Sequence, residues 1–212
     1  MLKINEIFYS IQGESTSVGV PTVFVRTSGC NLRCTYCDTT YAYYEGEHLA
    51  PDQIVQKILS YATPFVCLTG GEPLLQREVY PLMKELCDRG LKVSLETSGS
   101  RSCRQVDPRV RIILDVKTPD SGAADSFDPD NFACVGPSTE WKFVICSERD
   151  LEWSEGFCRQ HDLFKKFTVL YSASHGKIET RWLAESILQR NSSARLQVQL
   201  HKYIWEQHTR GV

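Results

Sequence analysis

The sequence lacks any run of apolar residues long enough to cross a bilayer. Its opening stretch, MLKINEIFYSIQGE, carries acidic residues and has no apolar segment of the secretory kind. A strong charge of either sign is also missing. The formal net charge of -2 gives no electrostatic reason to expect nucleic acid as the main partner. There is no internal repeat and no low-complexity tract. A disulfide framework is not indicated either, because nine cysteines are an odd number and are irregularly spaced outside one cluster. These absences lead to the expectation of a soluble cytoplasmic protein in a reducing compartment, without a membrane or nucleic-acid partner. The length of 212 residues suits one compact domain, 1–212, with a sizeable core.

Strand-like and helix-like patterns alternate along the chain. Short β-branched or aromatic runs occur at Thr22–Thr27, Phe65–Thr69, Leu91–Glu96, Val110–Val116, Trp141–Cys146, Phe167–Tyr171 and Leu196–Leu200. Between them, Pro51 opens a helix whose apolar face is Ile54, Val55, Ile58 and Leu59. Val79, Leu82, Met83, Leu86 and Cys87 form a second stripe, stopped at Gly90. A third helix carries Ile178, Trp182, Leu183 and Ile187, and Thr118 to Asn131 reads as a long surface loop. Such alternation argues for a parallel β/α architecture. A complete eight-unit barrel typically needs roughly 250 residues, so an incomplete TIM-like β/α barrel fits better. The segments SGCNLRC, TGGEP, ETSGS, DVKTP, YSASHGK and LHKY each follow an apolar run, where parallel β/α folds build their active sites.

Within the segment SGCNLRCTYCDTTYAYY stand Cys30, Cys34 and Cys37. Cys67, Cys87, Cys103, Cys134, Cys146 and Cys158 read as separate thiols, packed as small apolar side chains. The three clustered cysteines are too close for separate structural roles. Structural zinc needs four ligands, with His48 or a distant cysteine as the fourth. An electron-transfer iron–sulfur cluster also normally takes four cysteines. Three thiolates on a four-iron cubane leave one iron open to a small molecule with an amine and a carboxylate.

Cys30-x3-Cys34-x2-Cys37, with Tyr36 before the last cysteine, resembles the signature of radical S-adenosylmethionine enzymes. Thr69-Gly70-Gly71-Glu72-Pro73 is a second matching motif. Ile11-Gln12-Gly13-Glu14, Gly19-Val20-Pro21, Phe24-Val25-Arg26, Cys37-Asp38-Thr39 and the terminal His201–Trp205 resemble, more narrowly, the 7-carboxy-7-deazaguanine synthase family. That resemblance spans nearly the whole chain. It implies a partial barrel of the radical SAM type, a [4Fe-4S] cluster, S-adenosyl-L-methionine and Mg2+. It further implies conversion of 6-carboxy-5,6,7,8-tetrahydropterin to 7-carboxy-7-deazaguanine with loss of ammonia, on the route to queuosine and related 7-deazapurines.

The resemblance also distributes roles. Cys30, Cys34 and Cys37 bind the cluster, and Thr39 binds magnesium. Cofactor contacts fall to Cys37, Asp38, Thr39, Gly71, Glu72, Gly99, Asp115, Val116, Lys117, Tyr171, Ser172, Ala173 and Ser174. Within these, Glu72 accepts from the cofactor ammonium and Lys117 neutralises its carboxylate. Substrate contacts fall to Ile11, Gln12, Gly13, Glu14, Arg26, Thr97 and the terminal Val212. Arg26 suits a carboxylate through its planar fork. Many relatives have a Gln-Pro pair where this chain has Tyr171–Ser174. No proton-transferring residue is legible. A homodimer and a reductant such as flavodoxin or ferredoxin are the implied partners. The rival readings are a glycyl-radical enzyme activase, which shares the cysteines and the GGE turn, and a zinc-stabilised or iron–sulfur electron-transfer protein.

Overall fold

The computed structural model describes residues 1–206 and 209–212. One nine-stranded sheet organises the chain, in the order β3-β1-β2-β4-β5-β6-β7-β8-β9. The strands are β1 (Leu2–Ile11), β2 (Pro21–Thr27), β3 (Glu47–Leu49), β4 (Phe65–Gly70), β5 (Lys92–Thr97), β6 (Arg111–Val116), β7 (Glu140–Ile145), β8 (Thr168–Ala173) and β9 (Arg195–Gln197). From β2 to β9 every pairing is parallel, whereas β1 runs antiparallel to both β2 and β3. The sheet does not close on itself. It is the partial TIM-like barrel that the alternation predicts.

The helices are α1 (Pro51–Leu59), α2 (Val79–Asp88), α3 (Asn131–Cys134), α4 (Glu148–Gln160), α5 (Leu163–Lys166), α6 (Thr180–Gln189) and α7 (His201–Ile204). The predicted stripe of α2 is buried throughout, and Gly90 follows the helix with φ +82°. On α1, Ile54, Val55 and Ile58 are buried as expected, but Leu59 turns to solvent.

Period-two alternation sorts the strand residues onto two faces. Val23, Val25, Val66, Leu68, Val93, Leu95, Ile112, Leu114, Val116, Trp141, Phe143, Ile145, Val169 and Tyr171 belong to the main core, which the helices cover. Phe24, Arg26, Cys67, Thr69, Glu96, Asp115, Lys142, Ser172 and Gln197 therefore face the concave interior. Deep in that interior Phe8 and Phe24 stack at 5.0 Å over Cys67. The next row, Arg26 opposite Thr69, is polar.

Several elements depart from the sequence reading. β1 and β3 frame the sheet's first edge although neither was expected. α4 was also missed, because its buried face includes Asp150, Ser154 and Glu155, which blur an apolar stripe. β8 runs to Ala173, two residues beyond the expected end, and β9 stops at Gln197 instead of Leu200. The segment 118–131 is not a surface loop: Thr118, Ser121 and Asn131 are fully buried. Thr118 Oγ1 donates to the Val144 carbonyl at 2.9 Å and Asn131 Nδ2 to the Gly99 carbonyl at 3.0 Å, so polar side chains satisfy buried backbone there. All nine cysteines are free of disulfides.

Candidate active site

The mouth of the barrel is built from loops that follow β2, β4, β5, β6 and β8. After β2 the chain enters the cysteine loop, in which Cys30, Cys34 and Cys37 are all half-buried. The GGE turn after β4 packs directly beneath it. Glu72 N–H donates to the Gly29 carbonyl at 2.8 Å, and a Cβ on Gly71 would lie 2.0 Å from that same oxygen. Only glycine permits this approach. From β5, Asn31 Nδ2 reaches Ser100 Oγ at 3.0 Å. From β6, Lys117 lies 3.1 Å from Asp115, with its ammonium 5.5 Å from the centre of the Tyr36 ring.

Thr35, between Cys34 and Tyr36, is held on both its polar groups. Its N–H donates to the Ser121 carbonyl at 2.9 Å, and its hydroxyl to the Asp120 carbonyl at 2.8 Å. That turn is itself anchored by the fully buried Asp150, whose Oδ1 accepts from Asp120 N–H and Oδ2 from Cys146 N–H, both at 2.9 Å.

The IQGE segment reaches the same interior from the opposite end, because antiparallel β1 delivers it beside the start of β2, where Ile11 pairs with Pro21. Gln12 and Glu14 are nevertheless buried and point inward. Gln12 Nε2 donates to Glu96 Oε1 at 3.4 Å, and Thr69 Oγ1 to Glu96 Oε2 at 3.0 Å. Glu14 is bonded to the Lys142 ammonium and accepts from Gln199 Nε2 at 2.6 Å. Lys142 also lies 3.5 Å from Asp115. A chain of charges thus runs Glu14–Lys142–Asp115–Lys117, from the floor of the barrel to the cysteine loop.

The charges tune one another. Burial disfavours the Lys117 and Lys142 cations, but the surrounding carboxylates and thiols override it and push both pKa values up. Burial likewise opposes ionisation of Glu14, yet Lys142 holds its carboxyl below the ordinary range. Glu96 is raised, by burial first and by the Glu14 charge second. Cys30 and Cys34 are both pushed up, mainly by burial.

At the mouth Lys202 pairs with Asp38 at 2.8 Å. Burial raises the Asp38 pKa, but Lys202 outweighs it and the result is about 2. The α7 segment also covers the IQGE loop: Leu200 N–H donates to the Gly13 carbonyl at 2.9 Å, and a Cβ on Gly13 would strike His201 at 2.2 Å.

Residues 24–122 match the radical SAM superfamily profile. A relative named 7-carboxy-7-deazaguanine synthase from Chlorobaculum tepidum is 44% identical, over 100% of this chain and 97% of its own length. This chain belongs to the 7-carboxy-7-deazaguanine synthase family of radical SAM enzymes. A relative of the same name from Koribacter versatilis is 40% identical over 100% of both chains. The crystal structure of QueE from Escherichia coli has the same fold, with a TM-score of 0.78 over 94% of each chain at 24% identity.

Within this family frame, one expected contact, that of the Glu72 carboxylate, needs correction. Glu72 cannot offer its carboxylate to a cofactor ammonium: it is fully buried and already accepts from Leu74 N–H, Thr97 Oγ1, Ser98 N–H and Ser98 Oγ. The Val116, Tyr171 and Ala173 side chains face the helix-covered core, so only their backbone is open to a ligand. Ser172 and Ser174 face inward. Lys117 has a side chain only 11% exposed and sits beside the cysteine loop. Arg26 faces the interior but is engaged, donating to Glu6 Oε1 at 2.7 Å with its guanidinium 5.4 Å from the Phe8 ring. Thr97 is buried on Glu72, Gly99 turns at φ +69°, and Val212 is half-buried.

Among the described residues no group of three or more His, Cys, Asp or Glu side chains converges on one metal position, and His48 is exposed on edge strand β3. A cubane takes each thiolate on a different iron, so its sulfurs need not converge on a single point. The free thiols, their shared loop and the neighbouring Lys117 suit such a cluster.

Sequence reasoning missed Glu96 and Lys142. Both were signalled by a charged residue inside an otherwise apolar strand, LKVSLE and WKFVIC, on the face opposite the core. Among the described residues no helix is long and apolar enough to cross a membrane.

Proposed function

We propose that this protein converts 6-carboxy-5,6,7,8-tetrahydropterin to 7-carboxy-7-deazaguanine with loss of ammonia, on the route to queuosine and related 7-deazapurines, with residues 1–212 acting as one catalytic domain. The observation that carries this reading is the meeting, inside one barrel, of a three-cysteine loop and a buried recognition loop joined by the Glu14–Lys142–Asp115–Lys117 charges. The high identity to relatives of that name along the whole chain supports it. A bound [4Fe-4S] cluster and S-adenosyl-L-methionine supply the hydrogen-abstracting radical.

Cys30, Cys34 and Cys37 would hold the cluster, and the cationic Lys117 offsets part of the burial that raises the Cys30 and Cys34 thiols. The close approach of the GGE turn to Gly29 fixes the loop from below. Backbone groups at Gly71, Ser98 and Gly99 and the inward Ser172 and Ser174 offer cofactor contacts. Gln12, Glu14 and Glu96 set alternating donors and acceptors against the edge of a pterin, and Lys142 and Arg26 supply positive charge for its carboxylate. Thr39 provides a hard oxygen donor of the kind that Mg2+ takes. The buried floor excludes water and competing hydrogen donors. The protein works as a homodimer and receives electrons from flavodoxin or ferredoxin.

The test is anaerobic turnover of the iron- and sulfide-reconstituted protein with the tetrahydropterin, S-adenosyl-L-methionine and a reductant, followed by mass analysis. Formation of 7-carboxy-7-deazaguanine is expected. Cofactor cleavage without that product would overturn the substrate assignment.

A further inference from the structure

Gln197 is the last residue of β9 and pairs with Ser172 across the sheet, so it shares the inward face. It is 6% exposed, yet neither its Nε2 nor its Oε1 has a hydrogen-bond partner. A primary amide buried with both ends free is costly, because the desolvation of each end is left uncompensated. Other unpartnered buried atoms share the interior: the hydroxyl of Ser10 on β1 has no partner, and Asp115 Oδ1 makes an ion pair but no hydrogen bond. By contrast, Glu96 is satisfied by Gln12 and Thr69, and Glu14 by Lys142 and Gln199. Gln199, two residues along, spends its amide on Glu14, whereas Gln197 spends its own on nothing.

We infer that Gln197 is a ligand-recognition residue whose amide reads the edge of a nitrogen heterocycle carrying an N–H or NH2 donor next to a ring-nitrogen acceptor. Oε1 accepts from the donor and Nε2 donates to the ring nitrogen, which is the complementary pattern a primary amide presents. This rests on the proposed function, and two ligands of that reaction carry such an edge: the aminopyrimidine ring of the pterin and the adenine of the cofactor. The position on β9, beside Ser172 and two residues before the Glu14 partner, puts Gln197 where the recognition loop and the β8 loop meet. A site built to hydrogen-bond its ligand strongly penalises loss of the partner, because a buried polar group is then left bare.

The decisive experiment compares wild type with Gln197→Met, close in length and without the amide, and with Gln197→Leu. Thermal unfolding, S-adenosyl-L-methionine affinity by calorimetry and pterin KM are measured on the reconstituted protein. An unchanged or higher melting temperature is expected in both variants, by up to about 2–4 °C, since an unsatisfied amide is removed. It should be accompanied by about a tenfold weakening for one ligand: a raised pterin KM assigns the pterin edge, and a raised cofactor dissociation constant assigns adenine. A lower melting temperature with both ligand constants unchanged would make Gln197 a packing residue and overturn the inference, as would no change in any of the three. If wild type forms no deazaguanine, the proposed reaction fails, while the calorimetric arm still decides whether Gln197 reads the cofactor.

Discussion

Lys142 on β7 is bonded to Glu14 in the loop after β1, across 128 positions of sequence and within the barrel interior. Each has a side chain no more than 10% exposed, and Asp115 is the nearest further counter-charge at 3.5 Å from the ammonium. Removing one partner leaves a buried charge uncompensated. Lys142→Met is expected to lower unfolding stability by about 3–5 kcal/mol. Adding Glu14→Gln should restore part of it. Anaerobic urea titration gives both values, and a loss under about 1 kcal/mol in the single variant would mean that water reaches the pair.

Asp38 makes the docking of α7 dependent on pH. Its pKa falls from an ordinary 3.8 to about 2, against the effect of burial, because Lys202 stabilises the carboxylate. The contribution is therefore complete above 3.8 and is lost as pH falls towards 2. His201 acts in the same direction: burial pulls its pKa below 6.5, so protonation also disfavours the folded form as pH falls. Lys202→Met should shift the acid-unfolding midpoint to higher pH. Coincident midpoints for variant and wild type would show that the pair adds nothing.

Glu72 organises the turn beneath the cysteine loop by accepting four hydrogen bonds. Glu72→Gln keeps the shape but sets an NH2 against Ser98, whose N–H and hydroxyl both donate. The expected cost is about 2–3 kcal/mol of stability, with weakened binding of S-adenosyl-L-methionine. Calorimetry and denaturant titration on the same preparation report the two effects. Intact cofactor affinity would assign Glu72 to stability alone.

Asp150 fixes the turn that grips Thr35, between two of the cysteines. In Asp150→Asn and in Thr35→Val, iron should be lost to a chelator several-fold faster than in wild type. Because both act through the same turn, the double variant should be no worse than the worse single one. Additive rates would show two independent effects.

Much of the parallel scaffold was readable because buried strands appear as apolar runs and the α2 stripe is uninterrupted. The cysteine and GGE motifs were legible because their spacing is local. What escaped was encoded across the chain. β1 has alternating Leu2 and Ile4, but its pairing partners, β2 and β3, are later in sequence. α4 hides because Asp150 and Glu155 are buried on polar partners. Glu72 read as a ligand because nothing local reveals that Thr97 and Ser98 saturate it. The floor charges were missed for the same reason: Lys142 has meaning only when Glu14 lies beside it.

Gln199 and Glu14 meet over 185 positions, and Leu200 meets Gly13 beside them. On the ribosome, the strands from β1 to β8 can emerge and pair before residue 199 exists. A nascent chain stalled there would carry its cysteine loop and most of its sheet with the loop after β1 still unfastened. Closure of that loop is thus held back behind assembly of the rest of the barrel.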